Sequence, residues 1–145
     1  IEPIMIDFIN ESGNDNYNGV VTDLDLIMQS ISGKDIELMF VDDSTIRIIN
    51  KEQRGIDSPT DVLSFPIEMP GSDMIGTLII SLDMARNVAG AMSHSPEAEI
   101  KLLFIHGLLH LLGYDHETDN GEMRAEEELL IKEFELPNSL IVRSE

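Results

Sequence analysis

The chain has 145 residues, with 28 Asp+Glu against nine Lys+Arg (net charge −19), 42% hydrophobic residues and no cysteine. That length and apolar content suit a single domain, residues 1–145, around one core. The missing cysteine excludes thiolate nucleophiles, disulfide staples and sulfur-ligated metals. So strong a negative field repels nucleic acid at long range, and a polyanion partner would need basic residues gathered in one place.

Along the chain, the opening IEPIMIDFIN lacks the basic region, apolar stretch and cleavage pattern of a secretory leader. PIMIDFI (3–9) is rich in β-formers and predicts a strand. After the turn residues of ESGNDNYNG (11–19), Leu24, Ile27, Met28 and Ile31 recur at helical spacing, predicting a helix over 22–32 capped by Thr22 and ended by Gly33. DIELMFVD (35–42) reads as a second strand, and Asp42, Asp43 or Ser44 can cap a short helix through STIRIINKEQR. GIDSPTD (55–61) is a loop, VLSFP (62–66) a third strand and GTLIIS (76–81) a fourth.

From there the pattern is helical. LDMARNVAGAM (82–92) is followed by a helix over 93–113, with Ser95 as cap and Pro96 in its first turn. Asp119 and Glu122 have the spacing of a capping box for a last helix, whose Met123, Leu130 and Phe134 share a face. The order β-α-β-α-β-β-α-α-α alternates too irregularly for a doubly wound sheet. It predicts an α+β domain, a small mixed four-stranded sheet packed with about five helices. LLFIHGLLHLLG (102–113), the most apolar segment, is too short to span a bilayer. The expectation is a cytoplasmic protein with no membrane association.

Three of the four histidines lie in HGLLHLLGYDH (106–116). His106 and His110 are one helical turn apart and project from the same face. Gly113 can end the helix in a left-handed conformation and let Tyr114 and Asp115 carry His116 back to the same point. Polar rings are costly to bury in an apolar helix, and a metal ion compensates them. Three neutral imidazoles would leave zinc an open coordination position, the arrangement of a catalytic site. The reading is one zinc per chain, held by His106, His110 and His116 in a cleft formed by this helix and its following turn. His94, in the polar SHS turn, is expected at the surface.

The motif overlaps the metalloprotease pattern H-E-x-x-H-x-x-G-x-x-H but has Gly107 where those enzymes carry their glutamate base. Peptidase chemistry is disfavoured, whereas metal-assisted hydrolysis is not. The few basic residues are organised: Arg47, Lys51 and Arg54 fall at i, i+4 and i+7 on one helical stripe. Arg54 ends it beside a turn-rich loop, and its planar fork of donors matches a phosphate.

HGLLHLLGYDH together with NKEQRGIDSPTDVLSFP (50–66) resembles the YbeY family of bacterial endoribonucleases, or ribosomal-RNA maturation factors. The likeness runs in order from about residue 36 to EMRAEEE in the last helix. It implies that His106, His110 and His116 are zinc ligands and Arg54 a functionally important arginine; Arg47 and Lys51, from their place on the stripe, are expected to bind substrate. It further implies metal-dependent cleavage of single-stranded RNA, maturation of the small-subunit ribosomal RNA 3′ end, ribosome quality control, and partnership with the small subunit and its assembly proteins. One departure stands out: Thr77 occupies the place of the family's aspartate in Gly-Asp-Ile. Two other readings remain open at this point, a non-catalytic assembly factor with a structural metal and a metal-dependent hydrolase of another substrate.

Overall fold

The computed structural model describes residues 6–67, 71 and 73–137. Its elements follow the predicted order: β1 (Ile6–Asn10), α1 (Val20–Ile31), β2 (Asp35–Val41), α2 (Asp43–Arg54), β3 (Val62–Pro66), β4 (Met74–Ser81), α3 (Leu82–Met92), α4 (Pro96–Leu111) and α5 (Glu122–Glu133). The sheet runs β1-β2-β4-β3, with β1, β2 and β4 parallel and β3 antiparallel to β4 at one edge. This is the expected mixed four-stranded α+β arrangement. Residues 3–5 of the first predicted strand lie outside the described residues.

Strand alternation splits the interior in two. On one face Ile36, Leu38, Phe40, Leu78 and Ile80 join Leu24 and Met28 of α1 and Phe104 and Leu108 of α4 in the main core. On the other, Leu63, Ile79 and Val41 pack with Ile46 of α2. Helix α4 is apolar nearly all round, as a helix enclosed on every side must be. It lies on β3 and β4 and contacts α1, α3 and α5.

Gly107 sets how close that packing is. A Cβ there would sit 2.6 Å from Leu78 Cδ2, 3.1 Å from Ser64 Oγ and 3.3 Å from Val62 Cγ2. The Ser64 hydroxyl donates to the Gly107 carbonyl at 3.3 Å. The helix is thus seated on the sheet at the residue beside His106. His106 and His110 both project to one side of the contact, toward β3.

Three local expectations are corrected. Helix α1 begins at Val20, ahead of Thr22, with no side-chain cap. The turn before it winds directly into the helix through Val20 N–H to Tyr17 O and Val21 N–H to Asn18 O, and buried Val20 extends the apolar period by one turn. Helix α5 has Gly121 at its N-cap, so Asp119 and Glu122 form no capping box. Asp119 instead accepts from Gly121 N and Met123 N, while Glu122 accepts from Asn120 N. His94 is not a surface residue: its Nε2 lies 2.7 Å from Oε1 of fully buried Glu99. Ser93, at φ 59, turns the chain after α3 and folds His94 over the first turn of α4.

The cap of α2 does follow the sequence. Asp42 accepts from Thr45 N at 2.8 Å, and its hydrogen bonds with Thr45, side chain first and then backbone, hold its pKa below the usual aspartate value. Asp42→Ala should cost about 1 kcal/mol of stability. Because the folded-state pKa is the lower one, the charge-dependent part of this contribution is complete above the ordinary aspartate range and is lost as pH falls through the lowered value. Urea titrations of both proteins at neutral and strongly acidic pH check this: the difference should be larger in the first than in the second.

Candidate metal centre

Serine and proline at the start of α4 fix its register: Ser95 Oγ accepts from Ala98 N, and Pro96 occupies the first turn. Ten residues on, His106 and His110 leave the same side of the helix, their rings 4.7 Å apart. Gly113, at φ 100, then reverses the chain. Few side chains tolerate that conformation. Its N–H bonds His110 O, and Tyr114 N–H bonds Leu109 O. The reversal brings the His116 ring to 5.5 Å from His106 and 5.7 Å from His110. One nitrogen from each of the three lies within 4.8 Å of the others.

The hydrogen bonds around these rings decide which nitrogens face inward. His106 Nδ1 is 3.1 Å from Glu127 Oε1, and His110 Nδ1 is 3.1 Å from the Tyr114 carbonyl. A carbonyl and a carboxylate only accept, so each Nδ1 carries the proton and each Nε2 presents a lone pair. Those two Nε2 atoms are 3.2 Å apart. Two lone pairs facing each other at that distance repel, whereas two ligands of one tetrahedral zinc sit about 3.3 Å apart. The donor set therefore fits a divalent ion. Burial, helped by neighbouring His106, lowers the pKa of His110 against the opposing Tyr114 bond. A depressed pKa keeps the imidazole neutral and able to ligate at neutral pH.

The same histidines open onto a cleft of about 440 Å³ lined by Arg54, Thr60, Asp61, Val62, Ser64, His106 and His110. Arg54 reaches it because α2 stops there: Gly55 N–H closes on Lys51 O, and buried Asn50 donates to Ser58 O, turning the loop toward β3. Among the described residues Arg54 makes no ion pair. Arg47 and Lys51 stand differently. Both meet Asp57, at 2.8 and 4.0 Å, and with it they line a separate, larger groove of about 890 Å³ that contains no histidine. The stripe seen in the sequence is one line on the helix but divides between two surfaces.

Thr77 is not among the residues lining the histidine cleft. Its hydroxyl donates to Glu37 Oε1 at 2.8 Å across the β2–β4 register, on the sheet face away from α4. Sequence reasoning missed Glu127 and Asp57. Glu127 had a signal, because it falls at helical spacing between Met123 and Leu130 on the buried face of α5. Asp57 had none, since no periodicity predicts where a loop will fold back.

A family model described as "Endoribonuclease YbeY" matches residues 10–135. The chain is 53% identical over 142 residues to an endoribonuclease YbeY of Nautilia profundicola, covering 97% of this chain and 99% of that protein. It is 52% identical over 143 residues to that of Wolinella succinogenes, with the same coverage. A solution structure of a Thermotoga maritima protein matches with a TM-score of 0.63 and 26% identity, covering 89% of this chain and 88% of the other. Among the described residues no helix is long and apolar enough to cross a membrane.

Proposed function

The chain belongs to the YbeY family of endoribonucleases, and on that premise we propose that it is a zinc-dependent endoribonuclease cutting single-stranded ribosomal RNA precursors. Its work is the maturation of the small-subunit RNA 3′ end and ribosome quality control, in the cytoplasm, alongside the small subunit and assembly proteins. Residues 1–145 act as one catalytic domain. The observation that carries this reading is the shared cleft: an arginine free of ion pairs among the described residues and two histidines of the metal cluster line one opening. A purely structural ion would have no use for that opening.

His106, His110 and His116 hold the zinc. The chemistry such an ion supplies is charge: it polarises a phosphoryl oxygen and makes water more acidic. Arg54 offers paired donors to the non-bridging oxygens of the same phosphate and stabilises the charge that develops there. Arg47 and Lys51 bind the RNA backbone along the neighbouring groove, exchanging Asp57 for phosphate. In a chain of net charge −19, this local set has to overcome the general repulsion, so binding should weaken as salt rises.

Metal analysis of the purified protein, combined with cleavage of a ribosomal RNA precursor, tests the proposal. One equivalent of zinc and cleavage that disappears in His110→Ala are expected. Cleavage that persists undiminished in verified metal-free protein would overturn it.

A further inference from the structure

We propose that Glu127 is a positioning residue of the metal centre, whose carboxylate fixes His106 in the tautomer that turns Nε2 toward the ion. The inference rests on the metal reading of the three histidines given above. On α5 the buried positions are Met123, Glu127 and Leu130, so the fold itself offers Glu127 an apolar place. Its side chain is 1% exposed. One oxygen, Oε1, meets His106 Nδ1 at 3.1 Å, while the other, Oε2, is buried without a hydrogen-bond partner among the described residues.

A buried carboxylate oxygen left unpaired costs free energy, and a well-packed apolar side chain of similar size is commonly the more stable choice. Stability therefore does not account for a glutamate here. What glutamate does that leucine or methionine cannot is accept the Nδ1 proton of His106. That bond orients the ring, leaves the lone pair on Nε2 and raises the basicity of the ligand. His110 receives the same service from the Tyr114 carbonyl, a backbone group available to any sequence. For His106 the sequence has to supply it, and Glu127 does so from another helix 21 residues away.

The test compares wild type with Glu127→Gln and Glu127→Met, all stripped of metal and then titrated with zinc against a chromogenic chelator. Both variants should bind zinc roughly 10–100-fold more weakly. Metal-free Glu127→Met should melt at or above the wild-type temperature, because the unpaired oxygen is gone, and metal-free Glu127→Gln, which keeps a polar atom in that place, close to it. Nitrogen NMR of metal-free protein should give a single His106 tautomer in wild type and a mixture in Glu127→Gln, whose amide can accept or donate. Zinc affinity within twofold of wild type in Glu127→Gln would overturn the inference while leaving the metal reading intact. A lowered melting temperature in metal-free Glu127→Gln would make the residue a structural prop and overturn it as well. Wild type that binds no zinc would overturn the metal reading and this inference together. If Glu127→Met does not fold, the near-isosteric Gln variant decides alone.

Discussion

Arg54→Ala should lose about a hundredfold or more in RNA cleavage while keeping its zinc and its melting temperature. The two halves of this expectation have separate physical sources. Arg54 is exposed at the last turn of α2, and replacing a surface side chain of that kind changes stability by no more than about 0.5 kcal/mol. Under the proposed function its place in the histidine cleft gives it access to the phosphate to be cut, and removing one donor aimed at developing charge typically costs about a hundredfold to a thousandfold in rate. Arg54→Lys should recover little, since an ammonium group cannot reproduce a two-pronged contact. Arg47→Ala and Lys51→Ala should act on binding and on its salt dependence instead. Turnover plotted against melting temperature separates the cases. Normal cleavage by Arg54→Ala refutes the role, and failure of that variant to fold would make the arginine structural.

Removing zinc should lower the melting temperature by roughly 10 °C when the loaded protein is measured with free zinc about a thousandfold above its Kd. On the proposed reading two of the ligands lie on α4 and the third on the turn beyond Gly113, so a bound ion would tie a segment of irregular backbone to the most buried helix. Its binding energy is then partly folding energy. Loss should begin in residues 113–117, whose local bonds include Gly113 N to His110 O and Glu117 N to Asp115 Oδ1. Calorimetry with and without a chelator measures the shift, and hydrogen exchange locates the first opening. An unchanged melting curve after verified removal of the metal would refute this linkage.

Much of this architecture was legible because apolar spacing dictates it. The strand over 62–66 and the helix over 82–92 were read to the residue, and the order of all elements followed. The histidine cluster was equally legible, since a spacing of four on a helix and a glycine before the third ring leave little geometric choice. The misreadings share a different origin. Thr22 has the chemistry of a cap, but the preceding turn had already supplied acceptors for the first N–H groups. His94 looked polar and exposed because its buried partner, Glu99, is a tertiary fact. Asp119 and Glu122 have a capping box's spacing, yet Gly121 takes the cap position and the two carboxylates accept from separate N–H groups of the turn. In each case a loop or turn decided the outcome, and the conformation of a loop depends on what surrounds it.

The contact at Gly107 also bears on what this scaffold can become. In the metalloprotease pattern the equivalent residue is a catalytic glutamate, and a single codon change would suffice to write one. Here that change meets the packing at once: the first carbon of a side chain lands 2.6 Å from Leu78 Cδ2 and close to Ser64 Oγ and Val62 Cγ2. Leu78 belongs to the main core, so giving way there disturbs the strand that pairs with both β2 and β3. An evolving lineage, or an engineer, would have to repack Leu78 and its neighbours or shift α4 to make room for the new carboxylate, and any shift of α4 moves the histidines it was meant to serve. Two histidine motifs with nearly the same spelling are thereby set apart by packing as well as by chemistry.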